Sequence, residues 1–388
     1  MESIKLKYGC NPHQKNAQIY SEKLPIKILN GKPGYINLMD ALNSYQLVRE
    51  LDLSLDLPAA ASFKHVSPAG ASVYYPLSED EKKMYFVNGD LSELAVAYTR
   101  SRGADRLSSF GDFVALSREC DESTAKCIKR EVSDGVIAPS YSKKALEILQ
   151  AKRKGAYTVI QIDKDYVPPK NEKREIFGVT FEMERNDILF DKSYLQKVVT
   201  QNKKLEESTI IDLIVASISV KYTQSNSVCY AYRGQTIGVG AGGQSRIHCT
   251  RLAADKSDRW LLRVHPKVLN LPFVDKLSRN TKDNVIEQYL NEKREIDLFS
   301  EENQKQYFTH EVEILSEDEK SQYLSNVRGV SLSSDAFFPF EDNIYRAYRS
   351  GVNYIVQPGG SIRDDQVIKA CNDLDIVMAF SNLRLFHH

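Results

Sequence analysis

A strand, a proline-bearing turn, a helix and a second strand follow one another in two distant parts of the chain, and this repetition constrains the fold more than any other feature. In the first copy Ser108-Ser109-Phe110-Gly111-Asp112-Phe113 leads into a helical segment over Asp121 to Glu131, then a strand over Gly135 to Ala138, Pro139, a helix over Lys143 to Lys154, Gly155, and a strand over Tyr157 to Ile162. In the second, Ser333-Ser334-Asp335-Ala336-Phe337-Phe338 leads into a helix over Asp342 to Arg349, Gly351, a strand over Tyr354 to Val356, Pro358, a helix over Asp364 to Leu374, and a strand over Ile376 to Phe380. Strand, crossover helix and strand make a βαβ unit, so the pattern predicts an α/β fold built by internal duplication. Val167-Pro168-Pro169-Lys170-Asn171 breaks the periodicity and places a boundary between about 165 and 205, separating subdomains over 1–195 and 205–388. From Pro266 to about Val327, Glu, Lys, Asn and Gln alternate with spaced Leu, Ile, Val and Tyr, which predicts a helical insertion packed on the second subdomain. Leu38, Ala41, Leu42, Tyr45 and Val48 share one helical face within Ile36 to Leu51, an ordinary core helix.

Charge and cysteine usage exclude several classes of function. Fifty-two basic and 52 acidic residues cancel, so no global field holds a polyanion; nucleic acid is excluded as the main partner while a local phosphate site remains open. The six cysteines include no Cys-x-x-Cys pair and read as reduced thiols, and the seven histidines are scattered, so no zinc signature is present. With no secretory h-region after Met1 and no long apolar run, the expectation is a cytoplasmic protein that does not enter membranes.

The run Phe63-Lys64-His65-Val66-Ser67-Pro68-Ala69-Gly70 sets an ammonium beside an imidazole at the end of the apolar stretch Ala59 to Phe63. Ser-Pro-Ala-Gly is expected to stop the strand, leaving Lys64 and His65 at its carboxyl end, where open α/β sheets collect ligands. His is the side chain most easily set as a base near neutral pH, and an adjacent Lys can stabilise developing negative charge. On a surface loop the same dipeptide would be inert.

Gly238-Val239-Gly240-Ala241-Gly242-Gly243 fits Gly-x-Gly-x-x-Gly, yet Val228 to Tyr232, Arg233-Gly234 and Gln235 to Val239 read as a hairpin, which argues against a nicotinamide-binding loop. These glycines are expected instead to let backbone approach a ligand at the start of the next helix, where Gln244, Ser245 and Arg246 offer donors. The polar run Tyr222-Thr223-Gln224-Ser225-Asn226-Ser227 reads as capping, or as oxygen donors for a structural monovalent cation. The apolar alternation of Leu383 and Leu385 predicts a C-terminus tied into the fold.

Together, Tyr8 to Gln14, Ser62 to Gly70, Gly103 to Ser117, Ser133 to Pro139, Tyr222 to Tyr230, Gly238 to Asp255, Ser333 to Asn343 and Asn382 to His388 resemble one family over nearly the whole chain. That family is AICAR transformylase (phosphoribosylaminoimidazolecarboxamide formyltransferase), the transformylase region of the bifunctional purine-biosynthesis enzymes. The resemblance implies a duplicated cytidine-deaminase-like α/β/α fold without zinc, acting as a homodimer with sites at the subunit interface. It implies formyl transfer from 10-formyltetrahydrofolate, a co-substrate, to the amino group of AICAR, with no catalytic metal. By match to the family, His65 would accept the proton, Lys64 would stabilise the transition state, and Asn226 would contact the carboxamide region of AICAR. Lys7, Tyr8 and Arg384 would hold its phosphate and ribose, with Gly111, Asp134, Arg246 and Phe337 completing the pocket. Ile247, Asp342, Ser361 and Ile362 would meet the folate.

Lys7 departs from the pattern, standing where the family usually has Arg before Tyr-Gly and replacing a bidentate fork by a point charge. The sequence also begins at the transformylase region, so ring closure to IMP would fall to another protein. A chain without that companion could use formate and ATP as formyl source, or could be a catalytically silent purine-nucleotide-binding protein; the presence of both Lys64 and His65 favours catalysis.

Overall fold

Each central strand buries alternate residues on opposite faces, and the helices arrange themselves to cover both. In the computed structural model, which describes residues 1–291 and 295–388, the first half begins with a small antiparallel sheet of β1 (Glu2–Lys5) and β2 (Gln18–Ser21), then β3 (Ile26–Asn30) and the long helix α1 (Tyr35–Leu55). There follow β4 (Ala59–Lys64), β5 (Ser67–Val73), α2 (Glu79–Met84), α3 (Glu93–Gly103), β6 (Asp112–Leu116), α4 (Glu122–Arg130), β7 (Ser133–Ala138), α5 (Lys143–Gln150) and β8 (Thr158–Ile162). Ala59, Ala61, Phe63, Phe113 and Ala115 face the core beneath α1, whereas Ala60, Val114 and Leu116 face the core beneath α3, α4 and α5. Fully burying side chains such as Phe63 and Phe113 contributes roughly 1.5–3 kcal/mol each.

The segment expected as a boundary holds an exposed hairpin, β9 (Asn171–Ile176) and β10 (Val179–Glu184). The second half runs α6 (Glu207–Lys221), β11 (Val228–Tyr232), β12 (Gln235–Gly240) and α7 (Arg246–Leu262). After it come α8 (Pro266–Leu269), α9 (Arg279–Leu290), α10 (Glu301–Tyr307), α11 (Glu317–Ser325), then β13 (Val330–Ser334), α12 (Asp342–Arg349), β14 (Val352–Gln357), α13 (Asp364–Asp373) and β15 (Val377–Phe380). Helix α6 lies beside α1, and the buried Lys221 Nζ donates to Glu50 Oε2 at 2.7 Å to link them. Helices α8 to α11 form as the sequence predicts, but they also grip the first half: Asp283 of α9 accepts from the buried Arg106 at 2.6 Å.

One mixed sheet of eleven strands carries both halves, in the order β15-β14-β13-β11-β12-β5-β4-β6-β7-β8-β3. β6, β7 and β8 are parallel neighbours, as are β13, β14 and β15. The halves join where β12 meets β5, through the pair Gln235 and Ser72 and the bond from Ala71 N to Thr236 Oγ1 at 3.0 Å. These registers bring to one edge of the sheet the end of β4, the starts of β5, β6, β7 and β11, and the ends of β12 to β15.

Candidate functional site

Lys64 pairs with Ser67, so only His65 and Val66 connect β4 to β5. Both adopt left-handed backbone, with φ of 52° and 61°, the twist that two-residue hairpins require. Ser67-Pro68-Ala69-Gly70 therefore does not end the strand region: it forms the start of β5. Pro68 sits at a register shift opposite Phe63, where its missing N–H costs no ladder bond. The edge reached here is that of antiparallel neighbours, β4 with β5 and β6.

A positive φ is unfavourable for the β-branched Val66, and a carboxylate beneath the turn holds it. Asp40, buried on α1, accepts the Val66 N–H on Oδ1 at 2.7 Å. Burial raises the Asp40 carboxyl above the ordinary carboxylate range, opposed by that N–H and by nearby His65. The turn leaves the His65 ring exposed at the edge. Lys64 Nζ donates to the Phe110 carbonyl at 2.6 Å, which sets the ammonium beside Gly111, and among the described residues its other two hydrogens have no partner.

The polar run approaches the same hairpin, since Gln224 N donates to Ser67 Oγ at 3.4 Å. Asn226 Nδ2 donates to the carbonyl of Gly243 at 2.9 Å, and Asn226 Oδ1 accepts from Arg246 Nη2 at 2.8 Å. The buried Arg246 also donates through Nη1 to Ser227 O at 3.0 Å and to Asp335 Oδ1. Asp335 Oδ2 accepts from Ser225 Oγ at 2.6 Å and from Ser227 N at 2.9 Å. Arg246 is thus engaged in orienting Asn226. The C-terminus is tied to this cluster, with Leu385 N donating to Asp335 O at 2.8 Å, Ser225 N to His387 O at 3.0 Å, and the Leu385 side chain buried.

Gly238 and Gly240 serve packing, whereas Gly242, with φ of 66°, has open space where a Cβ would project. A Cβ on Gly238 would stand 2.0 Å from Ala253 O, and one on Gly240 2.2 Å from Cys249 O, so both glycines let α7 lie against β12.

The remaining candidates spread along the same edge. Gly111 precedes β6 with φ of 80° and open space where a Cβ would project. Asp134, at the start of β7, pairs with Arg153 Nη1 at 3.1 Å, both half exposed. Ile247 and Asp342 lie in the first turns of α7 and α12, and Ser361 and the fully exposed Ile362 precede α13. Asp342 Oδ1 accepts from Asn343 Nδ2 at 2.9 Å, and Phe337 is 42% exposed. Lys7 and Tyr8 follow β1, with the Lys7 ammonium 5.9 Å from the Tyr8 ring centroid. They are off the main sheet, but Ile4 and Leu6 pack on the same core as Leu383 and Leu385, flanking Arg384, which is exposed over the Phe386 ring at 4.7 Å.

Asp40, Ser67 and Asp335 were not legible as site residues. Their partners lie 26, 157 and 89 positions away, and no local pattern marks them. Among the described residues no three His, Cys, Asp or Glu side chains group as a metal would need, and no helix is long and apolar enough to cross a membrane. All six cysteines are unpaired.

A family model described as the AICARFT/IMPCHase bienzyme matches residues 1–256. The bifunctional purine biosynthesis protein PurH of Bacillus cereus is 28% identical over 394 residues, covering 99% of this chain and 59% of the relative. PurH of Acetivibrio thermocellus is 29% identical over 392 residues, with the same two coverages. The chain therefore spans about three-fifths of the length of these relatives.

Proposed function

This chain belongs to the AICARFT/IMPCHase bienzyme family, and we propose that it transfers a formyl group from 10-formyltetrahydrofolate to the amino group of AICAR, giving FAICAR and tetrahydrofolate. The observation that carries the reading is the Lys64-His65 hairpin: an exposed imidazole and a partly free ammonium on one two-residue turn, braced by Asp40 and adjoining the loop of Asn226.

An amine conjugated into an imidazole carboxamide is a poor nucleophile, so its proton must leave as nitrogen bonds to the formyl carbon. His65 takes that proton, while the Lys64 ammonium faces the oxygen that becomes an oxyanion. When the bond from the formyl carbon to the folate nitrogen breaks, His65 returns its proton to that nitrogen, and the charges balance. A positioned base supplies about 10²- to 10⁴-fold, and an oxyanion donor a comparable factor. Asn226, fixed by Arg246, turns the remaining lone pair of Oδ1 toward the carboxamide. Lys7, Tyr8 and Arg384 take the nucleotide's phosphate and ribose, with Gly111, Asp134 and Phe337 around them. Among the described residues one carboxylate oxygen of Asp342 has no partner and suits the donor edge of a pterin, and exposed Phe337 and Ile362, with half-buried Ile247, offer apolar cover for its ring. A structural monovalent cation binds near the polar run in this scheme, and the chemistry makes no use of it.

Two copies of the chain form a homodimer that shares its sites. From β7, which carries Asp134, to β14, which precedes Ser361 and Ile362, the sheet order has seven steps, or up to about 34 Å at 4.8 Å per strand. Reacting atoms must come within about 3–3.5 Å, so residues that far apart are easier to unite across two copies. The β9–β10 hairpin offers a surface for the second copy: Ile176, Val179, Phe181 and Met183 share one face and are all exposed. We read the two halves, 1–195 and 205–388 with residues 266–327 inserted in the second, as duplicated cytidine-deaminase-like units without zinc.

The test is to mix the purified chain with AICAR and 10-formyltetrahydrofolate and follow tetrahydrofolate by absorbance, with a control lacking AICAR. AICAR-dependent release is expected. No release with this donor overturns the folate reading, and no FAICAR from formate and ATP either overturns the transferase.

A further inference from the structure

A cavity of about 940 Å³ lies where α2 and the residues after it meet α8 and α9, and no residue of the candidate site lines it. Its lining contains six cationic side chains against two carboxylates, Glu79 and Asp90, although the chain as a whole is neutral. Glu79 is already paired with Lys82 at 2.8 Å. Among the described residues, Lys83, Arg130 and Lys282 form no salt bridge: Arg130 reaches only the Cys127 sulfur at 3.3 Å, and Lys282 lies 5.5 Å over the Phe273 ring.

Deeper in the wall, Arg263 has a side chain only 8% exposed and is held by Asp283, with Nη2 on Oδ1 at 2.5 Å. Arg279 beside it is pulled below the usual guanidinium range by burial and by Arg106 and Arg130, against the opposing pull of Glu131. Phe86, Leu271 and Phe273 supply apolar walls. Among the described residues, three cations without a salt bridge, Lys83, Arg130 and Lys282, face the single lining carboxylate also without one, Asp90, across a ring-sized apolar wall in one cavity of ligand dimensions, which calls for an anion with a flat body.

We propose that this cavity is a second binding site, separate from the Lys64-His65 edge, for a nucleoside polyphosphate, its phosphates at Lys83, Arg130 and Lys282 and its base against Phe86 and Phe273. Because the walls come from the first half and from the inserted helices, a bound ligand would tie the two together.

The test is calorimetric titration of magnesium-free ATP into the full chain, its K83A/K282A variant and its D90K variant, with inorganic tripolyphosphate as a second probe. Losing two charge-assisted contacts should weaken ATP binding by at least about tenfold. Asp90→Lys, at the rim, should tighten it, a gain that misfolding cannot produce. Tripolyphosphate should bind more weakly than ATP. No binding by ATP, or equal affinity in all three proteins, overturns the site; equal affinity for tripolyphosphate and ATP overturns the nucleoside part.

Discussion

Asp40 Oδ1 accepts the Val66 N–H at 2.7 Å, and this bond from the first long helix fixes the turn that presents His65. A helix and a hairpin are thereby locked in register at the point where the proposed chemistry occurs. Asp40→Ala removes the acceptor and leaves a strained turn with an unsatisfied N–H, at a cost of about 1–3 kcal/mol. Turnover should fall by tenfold or more, consistent with the sensitivity of catalysis to misplacement. Asp40→Asn keeps an acceptor oxygen and should recover most of that loss. Steady-state kinetics of the two variants check this; equal damage in both would assign Asp40 a role by charge rather than by holding the turn.

In the proposed nucleotide pocket Lys7 offers a point charge where an Arg fork would bind phosphate in two places. Lys7→Arg should tighten AICAR binding by a few-fold, within the roughly 1.5–3 kcal/mol available to a charge-assisted bond, with kcat unchanged. Calorimetry with AICAR measures it. An unchanged affinity would remove Lys7 from the phosphate site.

Asp335 is fully buried against Arg246 and fastens the Asn226 loop to the C-terminus. Asp335→Ala strands a buried guanidinium, which typically costs about 3–5 kcal/mol. The denaturant midpoint should drop accordingly, and a shift corresponding to less than about 1 kcal/mol would contradict the pairing described.

Asp112 gives the fold a pH dependence of unusual sign. Burial pushes its carboxyl from 3.8 up to about 6, against Arg102 and the Ser62 hydroxyl, and its Oδ1 has no partner. The folded chain therefore keeps a proton that the unfolded chain loses, so this contribution to stability is complete below about pH 4 and is lost as pH rises to about 6. Asp112→Asn has no such titration. The stability of the native chain relative to the variant should fall between pH 4 and 6 and level off above; a difference that grows with pH over that window would contradict the assignment.

Much of the fold was legible because it rests on local chemistry. The strand expected over Gly135 to Ala138 runs Ser133–Ala138, and the helix expected from Asp364 runs Asp364–Asp373. The hairpin turn at Arg233-Gly234 falls where the glycine placed it. Pro68 misled the reading of β5, because a register shift lets a strand carry a proline. The β9–β10 hairpin hid in a segment with prolines and charges, although Val179, Phe181 and Met183 alternate as a strand should. At the site, Lys64 and His65 stood out by their setting, whereas Asp40 and Asp335 act on residues 26 and 89 positions away, a distance at which sequence alone gives no pairing.

The central claim is that His65 carries the proton, and the most direct measurement is turnover of His65→Ala beside its affinity for AICAR. The account predicts kcat reduced by at least about 100-fold, the lower range for a lost general base, with AICAR affinity within about threefold of the native chain, a change well below one charge-assisted bond. Turnover within tenfold of the native chain would contradict it.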